Sequence, residues 1–155
     1  MTTTSDSGPA APLTDRERMT LLCVVGHMIP ADAGYGVPGA DDPRIFADIL
    51  RTIDRDLHAM RNALHVIDSL ADGTITTLSR AEQTERLAGF RAAHAHLAGV
   101  IESIVARCYY RDDRVMTSLG MEARPPFPNG YKVEQGDLSL LEPVRARGRI
   151  YRDAG

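Results

Sequence analysis

Three stretches of the chain carry apolar side chains at helical spacing, and a fourth carries them without any period. Thr14-Asp15-Arg16-Glu17 has the form of a capping box, a Thr cap with Glu three residues on. Met19, Leu21, Leu22, Cys23, Val24, Val25 and Met28 follow, and Pro30 ends the run. It is apolar on nearly every side, which predicts a central helix. Residues 29–43 hold three glycines, three prolines and three aspartates, the chemistry of an ordered loop. Asp42 then caps a second helix with Pro43 at its first position. Ile45, Ile49, Ile53, Leu57, Met60, Leu64 and Ile67 recur at steps of three and four and predict one amphipathic helix to Leu70, roughly seven or eight turns long. Ser79-Arg80-Ala81-Glu82 is a second capping box. After it Leu87, Phe90, His94, Leu97, Ile101, Ile104 and Cys108 alternate by three and four, a bundle-like seam reaching Tyr109 or Tyr110. Asp112 and Asp113 are placed to cap a short helix over 114–119, ended by Gly120.

The stretch 120–151 breaks the pattern. Pro125, Pro126, Pro128 and Pro143 remove backbone donors, yet Met121, Phe127, Tyr131, Val133, Leu138, Leu140, Leu141, Val144, Ile150 and Tyr151 supply apolar surface. A segment of this kind needs something to lie on. The expected architecture is therefore all-α: a small antiparallel helical bundle over 13–120, a disordered N-terminus over 1–12, and a long extended, proline-rich C-terminal arm over 121–155 that wraps the bundle or a partner. One short extended pair in the arm is the only strand expected.

Composition narrows the class. With 155 residues, 43% hydrophobic and 25% charged, the chain fits one ordinary globular domain. A net charge of −3 argues against nucleic acid or an anionic membrane as the main partner. No apolar run reaches the ~18–20 residues of a membrane span. No basic region precedes an apolar stretch at the start, and Glu17 separates Arg16 from Arg18, so the expected location is cytoplasmic. Cys23 and Cys108 then read as buried thiols.

Candidate chemistry is sparse. His58 and His65 flank the apolar face of the second helix, His94 and His96 point about 200° apart, and His27 sits at a helix end. No Glu-x-x-His tetrad, G-x-S-x-G elbow, P-loop or G-x-G-x-x-G after a strand occurs. Asp32, Asp41 and Asp42 read as Asx-turn and capping residues in preference to calcium ligands. The arginines at 145, 147, 149 and 152 are the densest cationic run, suited to pairing with carboxylates.

The order of three motifs resembles the gluconate 2-dehydrogenase subunit 3 family. They are Ile29-Pro30-Ala31-Asp32 with Pro38-Gly39-Ala40; Leu78-Ser79-Arg80-Ala81-Glu82-Gln83, which looks like the family's "LSxxEQ" helix start; and Cys108-Tyr109-Tyr110-Arg111-Asp112 leading to Leu119-Gly120. The similarity runs from about Thr14 to Tyr151. It implies a non-catalytic small subunit that binds and stabilises, chaperone-like, a separate FAD-dependent oxidoreductase of the glucose–methanol–choline class, acting on sugar or other alcohol CH–OH groups. FAD would belong to the partner, with no cofactor, metal or catalytic residue in this chain. Family members commonly carry a twin-arginine signal, which this chain does not show. Its tail is also longer than the family's usual ending. The expected partner-binding residues are Arg124, Pro126, Phe127 and Tyr131 as anchor, continued by Leu138, Leu141, Arg145 and Arg147. The alternative from another class is a stand-alone helical metal-binding protein or enzyme centred on His94.

Overall fold

In the computed structural model, residues 12–125, 127, 128, 130, 136–148 and 150 are described. They are mostly helical and contain no strand beyond an isolated bridge between Asp32 and Val37. The helices are α1 (Asp15–Met28), α2 (Pro43–Thr52), α3 (Leu57–Leu70), α4 (Arg80–Ala93), α5 (Ala95–Tyr109), α6 (Asp113–Ser118) and α7 (Glu142–Ala146). The chain divides into two compact units, Met1–Ala123 and Arg124–Gly155. No helix among the described residues is long and apolar enough to cross a membrane.

Local chemistry sets the helix starts. Thr14 with Glu17 and Ser79 with Glu82 both close reciprocal capping boxes on α1 and α4. Asp42 and Asp112 accept backbone N–H bonds at the starts of α2 and α6. The end of α6 is equally local. Gly120, at φ +73°, donates to the Thr117 carbonyl and Met121 to that of Met116, a Schellman stop that needs the left-handed residue.

Two helices expected to be continuous are each broken in two. The run 43–70 is interrupted by a 3-10 turn over Asp54–Asp56. Thr52 there bonds back to the Asp48 carbonyl, a contact that bends helices. Ile53 and Leu57 stay buried on either side, so the apolar phase runs through the break unchanged. The run 80–109 is interrupted at His94, whose φ −129° and ψ 49° are not helical. Its N–H closes α4 on the Phe90 carbonyl, and its carbonyl opens α5 by accepting from Ala98. A straight helix of that length would extend about 45 Å. Folding at His94 lets α4 and α5 both pack against α3.

The centre of the first unit is accordingly α3, which packs against α1, α4 and α5 and buries Leu57, Met60, Ala63, Leu64 and Ile67. α1, expected to be central, buries only one side, through Thr20, Leu21, Val24 and Val25. Asp68 in the last turn of α3 ties these parts together. Its carboxylate accepts from Arg16 Nε at 3.0 Å, from the buried Thr20 hydroxyl at 3.0 Å and from the Ile75 N–H at 3.2 Å. Arg16 also donates to the Gly73 carbonyl.

In the second unit, Leu138–Leu141 forms a 3-10 turn capped by Asp137, and α7 follows directly. The sequence predicts extended chain here, since Pro143, like Pro125, Pro126 and Pro128, removes a backbone donor. Pro143 instead sits in the first turn of α7, where its missing donor has no partner to lose. Pro126, Tyr131, Val133 and Tyr151 lie outside the described residues.

Removing the Asp68 carboxylate strands a buried hydroxyl and a buried N–H. Asp68→Ala is expected to lower unfolding stability by about 2–4 kcal/mol, read as a shift of the urea midpoint at unchanged slope. A shift within error of wild type would show that the node is dispensable.

Candidate functional site

A dense cluster of ion pairs lies where α2, α5 and α6 meet. Arg114 donates to both capping aspartates, with Nη2 at 2.7 Å from Asp42 and Nε at 2.9 Å from Asp112. Arg44 lies 3.7 Å from Asp112 and 3.2 Å from Asp113. Arg111 donates to Asp48 at 2.6 Å and to the Thr52 hydroxyl at 2.7 Å, and Arg51 reaches Asp48 at 3.2 Å. The Arg114 hydrogen bonds hold the Asp42 and Asp112 carboxyls below the ordinary range, and the Arg111 bond does the same for Asp48. The same contacts push Arg111 and Arg114 further up. These carboxylates stay anionic and bonded. They clasp helix ends.

A second feature is an apolar cleft of about 210 Å3 between α1, α4 and α5, floored by Val24, Met28, Leu87, Phe90, Ala98 and Ile101. His27, Thr84 and the Arg91–Glu102 ion pair, at 2.7 Å, add polar walls. Gln83 fixes the state of His27. Its amide nitrogen donates to the Ile75 and Leu78 carbonyls, so its oxygen accepts, and His27 Nε2, 2.8 Å away, carries a proton. His27 Nδ1 lies 3.4 Å from the Thr84 hydroxyl, whose own proton is directed to the Arg80 carbonyl.

The remaining sequence candidates are scattered. His58, His65 and His96 are exposed. His94, expected on an apolar seam, instead forms the joint between α4 and α5 and stacks on Phe90 with ring centroids 5.7 Å apart. Among the described residues no three His, Cys, Asp or Glu side chains are grouped to hold a metal ion. Asp32 accepts from the N–H groups of Gly34 and Tyr35, the Asx geometry expected of it, and the Tyr109 hydroxyl donates to the Pro38 carbonyl at 3.1 Å. Cys23 and Cys108 are free thiols that burial pushes up, so neither is an activated nucleophile.

The expected partner-binding residues all fall within Arg124–Gly155, and of them Pro126 and Tyr131 lie outside the described residues. Arg124 is half-buried and donates to the Gly130 carbonyl at 2.8 Å. Phe127 is 85% exposed. Leu138 and Leu141 share one 3-10 turn, Arg145 pairs with Glu142 at 2.7 Å, and Arg147 is exposed just past α7. The clasp around Arg114 escaped sequence reasoning. Asp42 and Asp112 were recognisable as caps, but nothing along the chain signals that one arginine bridges them. Compared with family models, curated proteins and solved structures, the chain finds no match in any of the three.

Because Asp42 and Asp112 bind protons more weakly folded than unfolded, their contribution to stability is complete above the ordinary carboxylate range. It is lost as pH falls through the ordinary carboxylate range and on through their lowered values. Arg114→Met should flatten this acid limb and cost about 1–3 kcal/mol at neutral pH. Denaturant midpoints measured from pH 7 downward check both, and an acid limb as steep as wild type would refute the clasp.

Proposed function

We propose that this chain is a non-catalytic small subunit that binds and stabilises a separate FAD-dependent oxidoreductase of the glucose–methanol–choline class. The reading joins the motif resemblance at residues 29–40, 78–83 and 108–120 to one observation. In the second unit, Phe127, Leu138, Leu140, Leu141, Val144 and Ile150 are between 45% and 88% exposed, and no residue of the 3-10 turn or of α7 is buried. Apolar side chains in such number on a short segment favour a protein partner.

In this reading the helical unit is a small antiparallel bundle and residues 121–155 are an arm laid on the flavoenzyme. Phe127 enters an apolar pocket, Leu138 and Leu141 extend the contact, and Arg145 and Arg147 meet carboxylates at its edge. FAD and the oxidation of an alcohol CH–OH group belong to the large subunit. The small subunit contributes folding and stability to the pair.

Co-expression with an FAD-dependent dehydrogenase of this class tests the proposal. Deleting residues 125–155 is expected to abolish co-purification while leaving helical circular dichroism largely intact, since most of the helix lies before Ala123. Retained co-purification would refute the arm's role. Phe127→Ala should weaken the complex by roughly 30-fold or more, and Arg147→Ala by less, because buried aromatic anchors dominate interface energetics. Titration calorimetry reads both, and a larger effect at Arg147 would move the anchor to the charged half of the arm.

A further inference from the structure

The cleft between α1, α4 and α5 is kept open by small residues where the three helices converge. Ala88 of α4 and Ala98 of α5 both line it, and neither carries a side chain long enough to fill it. Its floor belongs to the core, since Val24, Phe90 and Ile101 are buried and still form part of the wall. At about 210 Å3 the space is larger than the ~150 Å3 that admits benzene. One ring with a short alkyl chain fits it at the packing density of a protein interior.

The polar wall selects what such a molecule must carry. Arg91 and Glu102, 2.7 Å apart, neutralise each other, and the rest of the lining holds no ionised carboxylate or guanidinium. That favours a neutral occupant. Both amide protons of Gln83 are spent on the Ile75 and Leu78 carbonyls, so its oxygen takes the Nε2 proton of His27 at 2.8 Å. In neutral His27 the lone pair is therefore on Nδ1. Its neighbour there is the Thr84 hydroxyl at 3.4 Å, which spends its one proton on the Arg80 carbonyl at 2.9 Å, the shorter of its two contacts. Two acceptors, His27 Nδ1 and Thr84 Oγ1, thus stand side by side at the cleft, and no proton is committed to the imidazole one.

We propose that this cleft binds a small neutral alcohol or phenol. Its apolar body lies on Val24, Phe90 and Ile101, and its hydroxyl donates to His27 Nδ1. A mostly apolar pocket in which one or two polar groups fix orientation is the usual form of a small-molecule site. The proposal does not rest on the arm or on a flavoenzyme.

Titrating the full chain with 4-ethylphenol, and with 4-ethyltoluene as the same shape without the donor, tests this. Wild type should bind 4-ethylphenol saturably and shift the His27 Nδ1 resonance in nitrogen-detected imidazole spectra. His27→Leu should weaken 4-ethylphenol about fivefold or more and leave 4-ethyltoluene within about twofold, because only the phenol loses a hydrogen bond. Ala88→Trp, at an exposed position on the cleft, should abolish binding of both, and thermal melts matching wild type would show that it is folded. The proposal is overturned by absence of saturable binding, by phenol binding that leaves Nδ1 unmoved, by equal losses for the two probes in His27→Leu, or by a folded Ala88→Trp that binds like wild type.

Discussion

A carboxylate in the last turn of a helix faces the negative end of the helix dipole, and α3 has no basic residue in that turn to offset it. Asp68 is tolerable there only because α1 brings Arg16 and Thr20 to it and the chain after α3 turns back to offer the Ile75 N–H. One locally unfavourable residue therefore specifies how α1, α3 and the following turn meet. α4 starts just past that turn, and Gln83 bonds the Ile75 and Leu78 carbonyls from within it. The placement of α4, and of α5 folded back at His94, depends on the same corner.

The junction of α2, α5 and α6 solves a similar problem with charge. α2 and α6 both begin at an aspartate cap, and Arg114 bridges the two caps. With Arg44, Arg51 and Arg111 beside Asp48, Asp112 and Asp113, most polar groups near α2 and α6 hold helix ends in register. The apolar cleft between α1, α4 and α5 lies apart from this clasp.

What could be read along the chain follows from the range of each interaction. Capping at Thr14, Asp42, Ser79 and Asp112 involves residues two or three apart, and the sequence displays it. The all-helical class follows from the same periodicity. The joints at 53–56 and at His94 do not show, because Ile53, Leu57, Phe90 and Ile101 keep their apolar phase across them while the backbone turns. The Arg114 clasp spans 72 residues to Asp42, and the Asp68 node spans 52 to Arg16. Such pairings leave no local trace. The partner-binding candidates rest on apolar content and on the arginine run, which identify a segment and do not specify its geometry: Leu138 and Leu141 lie in a helical turn where extended chain was expected.

The hydrogen bond from Tyr109 to the Pro38 carbonyl has a consequence for how this chain can vary. Its acceptor is main-chain, so any residue at position 38 that preserves the loop's path supplies the same oxygen. The donor is one phenol, which no aliphatic side chain replaces. Position 38 is thus free to drift in sequence while the loop is held there from α5, and at this contact the constraint is written in Tyr109.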